Sequence, residues 1–374
     1  MIEYVEIREP DARELIGIVD TAQSVIWHSL YYGCGDFEVY APCTPQNFAL
    51  LVRGNYVTRP DKWDAGIIEQ VQITFEPSAG RMIIASGRMA KSLLDRRVIY
   101  SLSGHSVSPT MLSGRVEEAV RNLVSANAIH CPFDVSRNMV ELLLAADSGS
   151  TAVIKGTSGE DADKQVTYRN LMQYTDELLQ EYGMGAVCEL EPYYNIAYRI
   201  YSGSDRSMNN TAGNEPVIFS QEFDNLSASE YAVNDAAEKN TVLIGGEGEG
   251  TARFCTIVKS TATGSARREM FLDASNSSRT YKVNDAEYTL SDAEYEQQLQ
   301  TLGMQERTLY QIEETFSGGV ELSASPYKFG RDFFLGDIVT VQDTGIALYY
   351  NPRIVDVTEV QDGNGYQVNV VFGT

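Results

Sequence analysis

The sequence predicts a mainly β, α+β chain in which two β-rich modules are separated by helical and mixed insertions. Three observations lead there. Segments of alternating apolar and polar residues, punctuated by Gly and Pro, occupy both ends of the chain, while the middle switches to helical spacing. The 22 tyrosines suit half-buried strands and interfaces, where one end of the ring stays wet. At 374 residues the chain is too long for one ordinary core, and its length suggests roughly two to four domains.

Residues 1–101 read as the first β domain. Asp36–Tyr40 and Ile67–Phe75 alternate as strands with one wet face, and Gly33, Gly35, Pro42, Gly54, Pro60-Asp61 and the stretch from Pro77 to Gly80 supply turns. Short strands at this spacing predict an antiparallel barrel or a small sandwich. Residues 102–215 read as α+β. Val116, Ala119, Val120, Leu123 and Val124 form an apolar helix face behind Ser113 as N-cap, with Glu117 and Glu118 at the positive helix end. A second helix spans Thr167 to Tyr182, with Leu171, Tyr174, Leu178, Leu179 and Tyr182 as its stripe and Gly183 as its stop. Ser148 to Lys164 reads as a flexible hairpin or loop, and Ile196–Tyr201 as a strand.

Strands return from Val217 through Asn240–Ile244 and Arg253–Ser260, interrupted by Gly245 to Gly250. The end of the chain, Ile338–Val341 and Ile354–Phe372, is β again, with a hairpin turn at Gln361–Gly365. Residues 216–284 and 327–374 thus form a second β domain. Residues 285–326 make a helical or mixed insertion, opened by the capping box Ser291-x-x-Glu294, with periodicity weakening at Gly303.

Charge narrows the function. With 29 basic and 52 acidic residues, the net charge of -23 repels a phosphate backbone and argues against sequence-specific nucleic-acid binding. It suits a wall past which DNA slides without sticking. No apolar run approaches the roughly 18 residues needed to span a bilayer, and the N-terminus lacks a secretory pattern, so a protein made in the cytoplasm with no membrane span is expected. The five cysteines are scattered, without C-x-x-C, and read as buried or half-buried thiols.

A search for chemistry assigns no catalytic, cofactor-binding or metal-ligating residue, and no cofactor is implied. His28, His105 and His130 have no metal-site spacing, His130-Cys131 reads as neighbours rather than a dyad, and Gly104-His105-Ser106 lacks the nucleophile elbow. Gly245 to Thr251 has no P-loop lysine, and Glu247 and Glu249 would repel an anion, so a turn or bulge is expected. Among so many carboxylates, pairs such as Glu313-Glu314 and Asp285/Glu287 arise by chance. Arg96-Arg97 and Arg267-Arg268 are expected to form inter-subunit salt bridges.

Tyr327–Val341 runs as an aromatic stretch, then Leu335-Gly336-Asp337, then an alternating strand, and resembles a phrase of phage tail-hub proteins. Further stretches fall in the order of a siphophage tail-hub family: Trp27 to Phe37, Gly66 to Val71, Ser86-Gly87-Arg88 with Leu93 to Arg97, Val217 to Ser220 with Asp224 to Leu226, and Arg267-Arg268-Glu269 with Leu272 to Ala274. The resemblance implies two antiparallel β-barrel tube-type domains with α+β insertions, in a homotrimer whose six barrels match the sixfold tail tube. Implied partners are the tail tube, the distal tail protein, the tape-measure protein and a tip fibre or spike. The location implied is the virion tail, after assembly in the host cytoplasm. Because the chain stops after its last strand, hydrolase or receptor-binding activity is expected on another subunit. The alternative class is a cell-wall-acting enzyme or carbohydrate-binding module, with Tyr31-Tyr32, Tyr193-Tyr194 and Tyr349-Tyr350 as sugar platforms, although paired tyrosines in strands ordinarily put one ring in the core.

Overall fold

Period-2 alternation does build strands at the N-terminal end. In β4 (Asp36–Pro42), Phe37, Val39 and Ala41 are buried while Asp36, Glu38 and Tyr40 point the other way. The computed structural model describes residues 2–77, 80–155, 163–191, 195–283, 286–320, 325–345 and 348–373. It divides into two units, the first built on residues 2–154, 163–230 and 316–373, the second on Tyr231–Thr315.

The early elements are β1 (Val5–Arg8), β2 (Leu15–Val19), β3 (Ser24–Leu30), β4, α1 (Pro45–Leu50), β5 (Tyr56–Thr58), β6 (Ala65–Ile67), β7 (Gln70–Glu76) and β8 (Gly80–Arg88). β3, β4, β8 and β7 pair in that spatial order. β3 also pairs with the distant strand Arg353–Asp362, with Glu359 opposite Trp27 and Thr358 opposite His28. That strand continues through the hairpin to Gly365–Gly373, then to Glu313–Val320 and Leu226–Asn234, completing an eight-stranded sheet. The expected strand Ile67–Phe75 is two strands in different sheets. The break falls where Ile68 N turns to Asn55 O (2.9 Å) and Glu69 N to Ser86 O (3.0 Å).

Smaller sheets cover the two halves of this large sheet. β2-β1-β5-β6 buries Val5, Ile7, Val19 and Val57 with Val25, Trp27, Phe37 and Val39, and Gly66 leaves no room for a Cβ beneath the Phe37 ring. On the other half, the sheet of Ile218–Ser220, Thr340–Asp343 and Leu348–Tyr350 buries Phe219 and Val341 against Val357, Val368, Val370 and Phe372. Phe219 meets Phe333 edge-on at 5.2 Å. Each such buried side chain contributes about 1.5–3 kcal/mol. Two β modules therefore share one continuous sheet, and among the described residues no sheet closes on itself.

Helices α2 (Val116–Val124) and α3 (Leu171–Glu181) bury Val116, Val120, Leu123, Leu171, Leu178 and Leu179 against Ile196, Tyr198 and Ile200 of the sheet Leu142–Leu144, Ile196–Tyr201 and Gly185–Leu190. The N-cap of α2 is Arg115 rather than Ser113, without a side-chain cap. α3 starts later than the sequence suggests, because Tyr168 sits at φ 59 and Asn170 Oδ1 caps the Gln173 N–H at 3.1 Å. Gly183, at φ 65, ends it as expected.

In the second unit, Cys255–Val258, Thr241–Gly245 and Glu269–Asp273 form a three-stranded sheet whose Val242, Ile244 and Val258 pack on Tyr295 and Leu299 of α4 (Asp292–Thr308). The capping box of Ser291 and Glu294 is present. The helix runs on through Gly303, whose missing Cβ leaves space for Ile244 Cδ1, 2.6 Å from where that Cβ would lie. Among the described residues no helix is long and apolar enough to cross a membrane.

Candidate assembly surface

Strand pairing puts residues in rows on the face of the large sheet turned away from the core. One row runs Asn369, Thr358, His28, Asp36, Arg88, and the next Gln367, Val360, Ile26, Glu38, Ser86, Gln70. All but Val360 and Ile26 are polar, and each cation is clasped. His28 Nδ1 lies 3.1 Å from Asp36 and Nε2 lies 3.0 Å from Asp356. The hydrogen bond to Asp356 outweighs partial burial and, with Asp36, pushes the imidazole up to about 9, so it is cationic at neutral pH. Arg88 lies 2.9 Å from Glu69 and 2.8 Å from Asp95.

Under the same sheet lies a buried ionic group. The Arg59 side chain, 0% exposed, meets Asp61 at 2.6 Å and Glu359 at 3.1 Å, and its guanidinium sits 5.6 Å from the Trp27 ring centre. Lys62 and the Tyr366 hydroxyl also bond Glu359. Burial would raise the Glu359 carboxyl, but the Lys62 and Arg59 charges overcome it and hold the group below the usual range. Trp27 Nε1 donates to Asp64 at 2.8 Å, so even the central aromatic is oriented by a carboxylate.

The Leu335-Gly336-Asp337 phrase makes the tight turn expected, and its aspartate is a buried hub. Asp337 accepts from Ser204 N (2.7 Å), Phe334 N (3.0 Å) and Arg206 Nε (2.9 Å). Gly336 sits at φ 93 against the Tyr31 ring, where a Cβ would collide. The Tyr31 hydroxyl donates toward Gly183 O (3.0 Å) and Tyr201 O (3.2 Å), and the Arg353 guanidinium covers its ring at 5.2 Å. Four stretches remote in sequence are thereby tied at one ring.

The candidates weighed in the sequence do not converge. His105 and His130 are exposed, and Cys131 is buried beside Arg137 Nη1 at 3.8 Å, so His130-Cys131 forms no dyad. Gly246 leaves space for the Tyr295 hydroxyl, which accepts from Glu247 N at 2.7 Å, so the glycine run is a packed turn. Arg267 pairs with Glu269 at 2.5 Å, and Arg268 with Asp235 at 2.5 Å and Glu238 at 3.2 Å. These bonds lie within the chain, where the sequence suggested bridges between subunits; Arg97 likewise donates to Arg137 O at 2.7 Å. Glu314 bonds Tyr231 at 2.7 Å, while Asp285 lies outside the described residues. Tyr31 is buried, Tyr349 is exposed, and Tyr193-Tyr194 lie outside the described residues. Among the described residues no group of His, Cys, Asp and Glu has metal-site geometry. Sequence reading missed the His28 clasp and the Glu359 group, because both depend on pairing β3 with a strand more than 300 residues away.

This architecture is the fold of phage tail proteins. Residues 4–374 match the model of the Siphovirus ReqiPepy6 Gp37-like protein family, and the chain belongs to that siphovirus tail-protein family. It is similar to the 43 kDa tail protein of prophage MuSo2 from Shewanella oneidensis, at 14% identity and TM-score 0.56 over 99% of this chain and 98% of that one. The tail protein from Neisseria meningitidis MC58 is similar at 12% identity and TM-score 0.54, over 99% and 96%. Prophage tail protein gp18 from Listeria monocytogenes EGD-e follows at 11% identity and TM-score 0.50, over 99% and 94%. No curated protein sequence matches the chain.

Proposed function

We propose that the chain is a structural, non-enzymatic hub of a phage or prophage tail tip. Three copies form a ring that closes the tail tube and joins it to the distal tail protein and to a tip fibre or spike, with the tape-measure protein as a further contact. Within that ring the two β modules, 1–101 and 216–284 with 327–374, take the positions of tube-type barrels through the sheet they share, and the 102–215 and 285–326 segments are insertions on them. Assembly takes place in the host cytoplasm.

The observation that carries this reading is the continuous eight-stranded sheet, which among the described residues has two free edges and one polar face. At the β7 edge, Ile73 and Phe75 share the side of the buried Ile83 yet are 44% and 69% exposed, an apolar margin awaiting a neighbour. The polar face lines the lumen. With its cations clasped by carboxylates, it offers DNA little counterion-release gain, so DNA passes without adhering.

Light scattering with native mass spectrometry, at high concentration or with the tail tube or distal tail protein, tests it. Threefold assembly lost in the Ile73→Lys/Phe75→Lys variant is expected. A strict monomer that binds neither partner overturns the reading. Clearance of a cell-wall suspension that a single carboxylate substitution abolishes would replace it with the enzymatic class.

A further inference from the structure

β2 reads Leu15-Ile16-Gly17-Ile18-Val19, five residues without a charge, and it is the edge of its four-stranded sheet among the described residues. Gly17 and Val19 lie opposite Ile7 and Val5 on the core side, while Ile18 lies opposite Glu6 on the outer side. Leu15, Ile16 and Ile18 are nevertheless 49%, 45% and 37% exposed. Soluble proteins ordinarily guard such an edge with lysine, proline or an inward charge, because its free N–H and C=O groups template a further strand. The register shift between Ile7 and Arg8 affects only the Leu15 end, and Gly17–Val19 keep regular pairing.

The strand is also held rigidly from behind. Leu50 of α1 packs on Gly17, where a Cβ would come within 2.8 Å, and Asn47 Nδ2 donates to Thr21 Oγ1 at 3.0 Å. α1 adds the exposed Phe48.

Charge selects the occupant. Glu14 and Asp20 bracket the strand and are exposed. Nearby cations are engaged elsewhere: Arg8 pairs with Glu6 at 2.7 Å, and the Arg13 guanidinium folds back on Asp11 O at 2.8 Å. A second copy pairing through its own β2 would set Glu14 beside Asp20 if antiparallel, and like beside like if parallel. Both place acid against acid.

We propose that β2 is a docking strand for an extended segment of a different polypeptide, apolar at alternate positions and basic at both ends. The segment adds a strand to the β2 edge through main-chain hydrogen bonds, its side chains lie alternately along Ile16/Ile18 and on the opposite face, and its basic ends meet Glu14 and Asp20. The inference uses an edge separate from the large sheet and stands whether or not the ring forms.

The full chain is mixed with the amidated, acetylated heptapeptide Lys-Val-Thr-Val-Thr-Val-Lys, and with the same peptide ended by Glu, while hydrogen exchange and affinity are read. Protection of amides 15–19 by the Lys-ended probe is expected, with affinity at least about tenfold above the Glu-ended one. The Glu14→Lys/Asp20→Lys variant should reverse that preference, and Ile18→Lys should abolish protection while leaving the thermal midpoint unchanged. Equal binding of both probes, no protection at 15–19 with millimolar probe, or concentration-dependent protection of 15–19 in the chain alone would each overturn the proposal.

Discussion

Replacing Glu359 by Gln removes one of the two carboxylates that balance the fully buried Arg59 guanidinium. Arginine does not shed its proton inside a protein, so the charge stays and is left short of a counterion. Breaking one partner of a buried pair costs about 3–5 kcal/mol. Asp61 remains, bonded to Arg59 at 2.9 and 2.6 Å, but it is half exposed and only partly compensates, which puts the expected loss near 3 kcal/mol. In urea unfolding this is a midpoint lowered by about 1 M. Removing both charges in Arg59→Met/Glu359→Leu should cost less than either single change, since Lys62 is already part-exposed and can turn to water. The depressed Glu359 pKa adds a signature. Its contribution is present above about pH 4.5 and fades as pH falls through the lowered folded-state value, so the Gln variant should lose less stability on acidification. A Glu359→Gln midpoint within 0.2 M of the parent (on the order of 0.6 kcal/mol), or a double variant as unstable as the two singles summed, would refute this account of the core.

Three further outcomes are expected. Gly336→Ala should destabilise the first unit by about 2–4 kcal/mol, from left-handed strain and collision with the Tyr31 ring, read by thermal unfolding; a loss under about 1 kcal/mol would show that the turn relaxes freely. His28 is raised from 6.5 to about 9, so its stabilisation is complete below about pH 6.5 and disappears as pH rises through 9. With its side chain 23% exposed, the parent should lose about 2 kcal/mol more than His28→Asn between pH 7 and 10, and parallel pH profiles would contradict the clasp. Tyr295→Phe should cost the second unit about 1–3 kcal/mol, because Glu247 N and Ser277 O lose their partner at 2.7 and 2.6 Å; unchanged hydrogen exchange in Thr241–Gly245 would argue otherwise.

Local features were legible in the sequence. The Ser291 capping box, the Gly183 stop, the hairpin at Gln361–Gly365 and the strand Ile196–Tyr201 appear where their residues predict them, because each depends on neighbours within a few positions. Boundaries set by backbone conformation were not: Tyr168 at φ 59 delays α3, and the Ile68-Glu69 kink splits one alternating run between two sheets. Gly303 weakened the helical pattern on paper, yet it sits inside α4 to make room for Ile244. Nothing local announces that Glu359 will lie opposite Trp27, and from that pairing follow both the shared sheet and the His28 clasp. The surface that carries the proposed function exists only once strands from both ends of the chain pair.

The most direct test of the ring is electron microscopy of the purified full chain, alone and with tail tubes. Class averages with threefold symmetry about an open pore, capping the tube end, are the predicted result. Single-copy particles without a pore, and bare tube ends in the mixture, would contradict it.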